Sequence, residues 1–460
     1  MQDLRRAGLS AGRSAGIQTG GRKMSESRPV SSASEKTAMR FSWSAAAILS
    51  FPMAFLYVGY AMGFEDFRLM TYRNPAVVIF TLLYLFLVSH GANRLDRPAS
   101  RESRLWAGCL LTTALSLCFY QPTSFFALLQ ILALHLEAVY WTLCRTRILI
   151  HNRTSGSFPF ELAWGFCVLP LRHFLLRIKV LSSALRDYLT DRSRGAHSPA
   201  MIGFSLLLAG GIGMTAWSLL SGADPFFAEV ADQVGAGLFG WLSPQTLLTV
   251  ILSLPVGAWL FGLAGGSLYQ AEPAVPLWRW QTALDRMQVL PGFTTALVIG
   301  VLCGIYSLFF AVEAYAYLTQ LIAGAITVTL ACQYAVQGFW QLCGIVLLNL
   351  SVLAVLHTLS ETSLLAPGRL RSLAKLLSVC TIAFVLLAGL KLGVYALVYG
   401  WTLRRVLAVW ALSVLAVGAG LAWVRLKQII PAARWGILYA LISFTLLGCF
   451  PLESWTGFLH

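Results

Sequence analysis

Five polar residues lie inside otherwise apolar runs, where each needs a partner for its charge or its hydrogen bonds. They are His135, Glu137, Glu313, Asn349 and Lys391. An ionisable group in such surroundings is costly, so it often contacts a charged substrate, carries a proton or pairs with an opposite charge. Lys391 with Glu137 or Glu313 could form a substrate or proton site. The alternative is a structural ion pair, or a lysine that reaches outward along its own stem.

The remaining polar residues of this set point to packing. Asn349 is typical of a residue that hydrogen-bonds between helices. His135 and Glu137 are two residues apart, so on a helix they face different directions and contact separate neighbours.

Motifs for catalysis, cofactors or metals are weak. The seven histidines have no H-x-x-H spacing and the nine cysteines form no C-x-x-C pair, so we predict no metal site. Residues 235–240 (GAGLFG) match G-x-G-x-x-G literally but lack the strand and crossover helix of a dinucleotide site. We therefore expect no cofactor and name no catalytic residue; enzymatic activity stays open but is disfavoured.

The composition excludes an ordinary water-soluble chain. Charged residues make up 12% of the 460 residues, hydrophobic residues 57%, and the mean hydropathy is +0.71. Soluble domains carry roughly 25% charged residues. The net charge of +15 lies in short segments between apolar runs and not on an aromatic-interleaved face, so we expect no nucleic-acid partner. The expected partner is a lipid bilayer.

Apolar runs of about 20 residues recur along the chain, the length that crosses about 30 Å of hydrocarbon as a helix. The fold class predicted is an all-α, polytopic membrane bundle of about eleven transmembrane helices. Its spans are 43–64, 75–91, 105–121, 123–143, 201–220, 245–267, 293–315, 337–358, 377–398, 405–424 and 433–451.

Basic residues alternate between the two sides of this bundle. Segments on one side hold Arg94 to Arg104, nine basic residues from Arg145 to Arg194, and later pairs or triplets, whereas the other side holds few. Because positive charge stays in the cytoplasm, we predict that the N-terminus is inside and the C-terminus outside.

Four segments follow from this pattern. Residues 1–40 are predicted to be a disordered basic tail, with Met24 an alternative start to Met1. Residues 41–143 form a first four-helix segment, 144–200 a cytoplasmic amphipathic linker, and 201–460 a seven-helix segment. In the linker, residues 171–188 have apolar positions at helical spacing. They predict a helix that binds anionic lipid or packs against the bundle.

Three stretches together resemble a known family. They are residues 221–227 (SGADPFF), 334–342 (YAVQGFWQL, followed by Asn349) and 399–405 (YGWTLRR). Their order resembles the bacterial family catalogued as domain of unknown function 4173, with a sister numbered 4153. The resemblance implies a multi-pass protein of the bacterial cytoplasmic membrane with no established activity. Its motif positions are Asp224, Tyr334, Gly338, Asn349, Gly400, Thr402 and Arg405.

The chain departs from that family in two places. An acidic residue before the tyrosine and a basic one two residues after it are replaced by Gln333 and Val336. The expected polar ending is replaced by Pro451, Leu452 and Glu453. Any electrostatic role that the acidic and basic residues at positions 333 and 336 have in the family is therefore absent here.

The motif residues also predict a polar cluster on the outer face. Asp224, Tyr334, Thr402 and Arg405 all lie at predicted outer ends of spans, with Arg405 a candidate partner of Asp224. The alternative is that they fix the loop geometry and bind nothing.

As to function, span number and intramembrane charge favour a transporter or flippase of an unidentified substrate. The alternative is a non-enzymatic signalling or assembly component.

Overall fold

Helices make up the regular structure of the computed structural model. It describes residues 32–62, 75–119, 124–190, 199–223, 244–269, 273, 275–322 and 328–450. Within these ranges the only β-type pairing is a single bridge between Leu290 and Ser360. The prediction of an all-α fold is therefore confirmed.

The helices are numbered here in chain order. The first half holds α1 (Ser32–Phe55, continued by the wider π-helical turns Leu56–Ala61), α2 (Pro75–Arg94), α3 (Arg101–Phe119), α4 (Ser124–Arg145), α5 (Phe158–Ala163), α6 (Leu169–Arg172) and α7 (Leu176–Thr190). The second half holds α8 (Pro199–Ala223), α9 (Pro244–Tyr269), α10 (Leu277–Met287), α11 (Gly292–Ile322), α12 (Val328–Leu359), α13 (Arg369–Tyr399), α14 (Leu403–Lys427) and α15 (Ala432–Gly448).

A helix occupies each of the eleven apolar runs. Eight of the described helices are long and apolar enough to cross a membrane: those of spans 43–64, 75–91, 123–143, 245–267, 293–315, 337–358, 377–398 and 405–424. The helices at the other three apolar runs are not among these eight. Helix α3 starts with the charged residues Arg101, Glu102 and Arg104, the apolar stretch of α8 covers Phe204–Gly213, and α15 has 17 residues. The chain is thus a polytopic helical bundle.

The described helices build two hydrophobic cores. The first joins α1, α2, α3, α4, α6 and α9 around Tyr140, Trp141 and Leu263. The second joins α11, α12, α13 and α14 around Ile299, Val346 and Phe384, all fully buried. Helix α9, in the predicted 201–460 segment, therefore packs with helices of the predicted 41–143 segment.

Helix α15 connects the two cores. On one side it packs against α14, where Trp410 Nε1 donates to Ser443 Oγ at 3.0 Å and the Tyr439 hydroxyl to Ser413 Oγ at 3.1 Å. On the other side it packs against α3, and its Ile437 contacts the first core. The last helix thus stabilises the contact between the halves.

The linker is folded onto the bundle and is bent. One helical segment runs from Phe158 to Arg172 through π-helical turns at Trp164–Val168, and α7 begins only at Leu176. The prediction of one helix over 171–188 is wrong at its start, because turns at His173–Leu175 interrupt it.

Side-chain burial in α7 also differs between its basic residues. Arg177 is buried between α1 and α9: it donates to the Leu254 carbonyl at 3.0 Å and its guanidinium lies 4.0 Å from the centre of the Phe51 ring. Arg172 and Arg186 are exposed. Arg177 therefore anchors α7 to the bundle, whereas Arg172 and Arg186 do not.

Several predicted features lie outside the described residues. These are the tail up to residue 31, Asp224 with the residues of the SGADPFF stretch that follow it, the GAGLFG stretch at 235–240 and the ending from Pro451. Residues 32–40, which the composition placed in the tail, belong to α1.

Candidate functional site

An ion pair links two of the candidate residues inside the second half of the bundle. Lys391 Nζ on α13 lies 3.8 Å from Glu313 Oε1 on α11. Neither side chain is fully buried, since 19% of Lys391 and 30% of Glu313 is exposed. Glu313 is therefore the carboxylate that the fold places beside Lys391.

The depth of this pair follows from its position along long helices. Lys391 lies eight residues before the end of α13, and Glu313 nine residues before the end of α11. At 1.5 Å per residue both lie about 12 Å below the helix ends. Since α13 has 31 residues, its length of about 46 Å exceeds the roughly 30 Å of hydrocarbon. If the excess is shared between both sides, the pair lies a few ångströms inside the hydrocarbon boundary.

Gly338 of α12 forms one wall of the pair. A Cβ atom at position 338 would lie 2.9 Å from Lys391 Nζ, closer than side chains normally approach. The motif glycine thus gives the ammonium group its space between α11, α12 and α13. The sequence does not indicate this contact, because positions 338 and 391 are separated by 53 positions along the chain.

Arg405 binds the C-terminal end of α13, the helix that carries Lys391. Its Nη1 donates to the carbonyl oxygen of Tyr399, at 2.6 Å, and to that of Gly400, and its guanidinium lies 4.3 Å from the centre of the Tyr395 ring. Gly400 has a φ of 74°, which glycine adopts without strain. A cation at a helix C-terminus is favourable. These contacts indicate that Arg405 fixes the geometry of the loop between α13 and α14.

Thr402 caps the N-terminus of α14 through its backbone carbonyl. Its carbonyl oxygen accepts from the amides of Arg405 and Val406 at 2.9 and 3.0 Å, whereas its side chain makes no capping bond. Asp224, the proposed partner of Arg405, lies outside the described residues, and Tyr334 lies in α12 with its side chain outside the description. The outer polar cluster stays a prediction.

Asn349 joins three helices. Its Oδ1 accepts from the Tyr306 hydroxyl of α11 at 2.6 Å, and its Nδ2 donates to Thr381 Oγ1 of α13 at 3.1 Å. The residue is fully buried in α12. It is thus an interhelical hydrogen-bonding residue.

Glu137 lies in the first core and does not contact Lys391. Its Oε1 accepts from Thr113 of α3 at 3.3 Å and from Thr445 of α15 at 3.4 Å. His135, two residues earlier, instead contacts the Tyr57 hydroxyl of α1. The two side chains therefore have separate neighbours, as their spacing predicts.

The family model with the description "Domain of unknown function (DUF4153)" matches residues 107–457, more than half of the chain. The chain belongs to the DUF4153 family. This is the sister family named with the motif resemblance. No curated protein and no solved structure matches the chain.

One polar network of this DUF4153 member was not anticipated from the sequence. At the basic end of the first core, Glu102 of α3 accepts from Arg434 Nε of α15 at 3.1 Å and from the Thr154 amide at 3.1 Å. Glu161 of α5 accepts from the Ile150 amide at 2.8 Å and from the Tyr140 hydroxyl at 3.3 Å. Burial raises the pKa of the Glu161 carboxyl above its usual range.

A signal for part of this network was present in the sequence. Glu161 is the one acidic residue of the apolar stretch 158–170, so a buried partner could have been expected there.

Within the described residues, no group of three or more His, Cys, Asp or Glu side chains could hold a metal ion.

Proposed function

We propose that this DUF4153 protein is a transporter or flippase and that Lys391 and Glu313 are its coupling or substrate-contacting pair. We place it in the bacterial cytoplasmic membrane, as a multi-pass protein whose basic segments face the cytoplasm. The substrate is unidentified, and neither a cofactor nor a catalytic residue is required.

The supporting observation is a partly exposed ion pair between two long apolar helices, whose lengths place it a few ångströms inside the hydrocarbon boundary. Burial of a structural ion pair costs desolvation free energy, which is offset only by close geometry and additional hydrogen bonds to both charged groups. Lys391 and Glu313 are separated by 3.8 Å and retain exposures of 19% and 30%, and no other hydrogen bond of either side chain is found among the described residues. A pair of this kind can open to a proton or a charged substrate.

Water access to Lys391 tests the proposal. In a background without the nine native cysteines, Lys391→Cys is labelled in intact membranes with a membrane-impermeant thiol reagent. The matched control is Leu390→Cys, one residue away at the same depth and 68% exposed on the helix surface. We expect position 391 to label and position 390 to stay unlabelled, because only a water-filled path brings the reagent to this depth.

A second variant covers the case in which Lys391→Cys does not fold. Gly338→Cys retains both charged residues and places a thiol beside Nζ, where the flexible tip of Lys391 has to shift. Protection of both 391 and 338, with a cysteine at position 402 still labelling, would contradict a transport path here. That result would instead favour the alternative, a signalling or assembly component in which the pair is structural.

A further inference from the structure

A cleft between α1, α2 and α9 runs along the first core. Its volume is about 320 Å³, which lies within the range of small-molecule sites. Met53, Phe80 and Leu260 are among the apolar side chains that line it. Along α2 it extends from Phe80 to Arg94, fourteen residues or about 21 Å. This is more than the thickness of one leaflet of a hydrocarbon core of about 30 Å.

Only one end of the cleft is charged. Arg94 lies there in the last turn of α2, exposed, and its side chain makes no hydrogen bond or ion pair with another described residue. His90, one turn earlier, stacks on Phe86 and also lines the cleft. None of the described lining residues is acidic. An anion at this end therefore meets an unpaired guanidinium.

The deeper polar groups of the cleft already have partners. The Tyr84 hydroxyl bonds to Thr142 Oγ1 at 2.8 Å, and Ser50 Oγ donates to the Ala47 carbonyl at 2.6 Å. The interior thus offers an apolar wall and no free hydrogen-bonding group from these two residues. A polar solute would lose its hydration there without replacement.

The arrangement of one charged end and one apolar tract matches an amphiphile. We propose that the α1–α2–α9 cleft binds an anionic phospholipid of the cytoplasmic leaflet, with one acyl chain between the three helices and the phosphate at Arg94. Trp43 lines the same cleft, and an aromatic residue at the head-group level is typical of membrane proteins. The site is separate from Lys391 and Glu313 and does not depend on the transport proposal.

Lipid binding to the purified full chain tests this site. Native mass spectrometry measures the affinity for phosphatidylglycerol and, for comparison, phosphatidylcholine. Arg94→Gln should weaken phosphatidylglycerol binding about fivefold, the effect of one cation near an anionic head group. The matched control Arg101→Gln, an exposed arginine at the same basic end, should change it less than about twofold.

Filling the cleft tests the acyl tract. Ala46 lines it, so Ala46→Phe should lower the affinity for both lipids, whereas Leu49→Phe, on the exposed surface of the same helix, should not. Equal losses for Arg94→Gln and Arg101→Gln would show diffuse surface attraction and overturn the proposal. Displacement of the lipid by millimolar inorganic phosphate would also overturn it, because the site would then hold a free anion. If Ala46→Phe fails to fold, the arginine pair and the phosphate competition still decide.

Discussion

At the scale of single residues, the polar groups in the apolar helices have different kinds of partner, and Glu137 Oε2 is buried without a hydrogen-bond partner among the described residues. Asn349 exchanges hydrogen bonds with Tyr306 and Thr381, and Glu137 accepts from two threonines. The partner of Lys391 is an opposite charge, because its Nζ lies 3.8 Å from Glu313 Oε1. The low-charge composition indicates that each of these residues needs a partner, but partners from α11 or α15 are distant in sequence and become neighbours only in the bundle.

Arg405 and its neighbour Arg404 provide a matched pair of variants. Arg405→Ala should lower the free energy of unfolding by about 1 kcal/mol, because it removes the contacts with the C-terminal carbonyls of α13 and with Tyr395. Arg404→Ala should have little effect, since Arg404 is exposed and forms no bond with a described residue. Thermal unfolding in detergent measures both.

The predicted pairing of Arg405 with Asp224 is tested by the same variants. Asp224→Ala is combined with Arg405→Ala in a double-mutant cycle. A coupling energy well above zero would support the pair, whereas additive losses would contradict it and leave Arg405 as a residue that fixes the loop.

At the scale of elements, the linker after α4 differs most from its sequence pattern. Helical spacing predicts one amphipathic helix, yet the chain bends at His173–Leu175 and Arg177 turns into the bundle. The pattern records which residues are apolar but not which surface will receive them. Here the apolar Leu171 and Ile178 stay 64% and 60% exposed while the basic Arg177 is buried against the bundle.

We expect Glu161 to make the stability of the fold pH-dependent. Burial raises its pKa in the folded protein, so the folded state takes up the proton at a higher pH than the unfolded state. Its contribution to stability is therefore present below the unfolded pKa, near 4.3, and is lost as the pH rises through the folded pKa.

Comparison of the wild type with Glu161→Gln measures this contribution. Unfolding temperatures recorded from pH 7.5 downward should rise more, or fall less, in the wild type than in the variant. Parallel curves for the two proteins would show that Glu161 does not titrate differently on folding. Glu361→Gln, at an exposed position, is the control and should follow the wild type.

At the scale of the whole molecule, two cores are held together by the last helix. Arg434 of α15 bonds Glu102 of α3, whose side chain is 7% exposed, while the same helix packs on α14. Removing Arg434 leaves a nearly buried carboxylate with one amide donor.

Arg434→Ala should therefore lower the free energy of unfolding by about 2 kcal/mol, less than the 3–5 kcal/mol of a fully buried pair because 30% of Arg434 is exposed. The double variant with Glu102→Gln should lose less than the sum of the two single losses. Additive losses in chemical unfolding would show that the pair does not couple α15 to the first core.

The sequence by itself determined the membrane class, the helical fold and the position of every apolar helix, because these depend on local composition and on the length needed to cross hydrocarbon. Three separated motifs were also enough to point to the DUF4153 group of families. The tertiary structure decided which helices pack together, that Glu313 and not Glu137 accompanies Lys391, and that Arg177 is buried. It also decided that a cleft leads to Arg94. Hydropathy is a property of each segment, whereas side-chain partners depend on how segments far apart in the chain are placed beside one another.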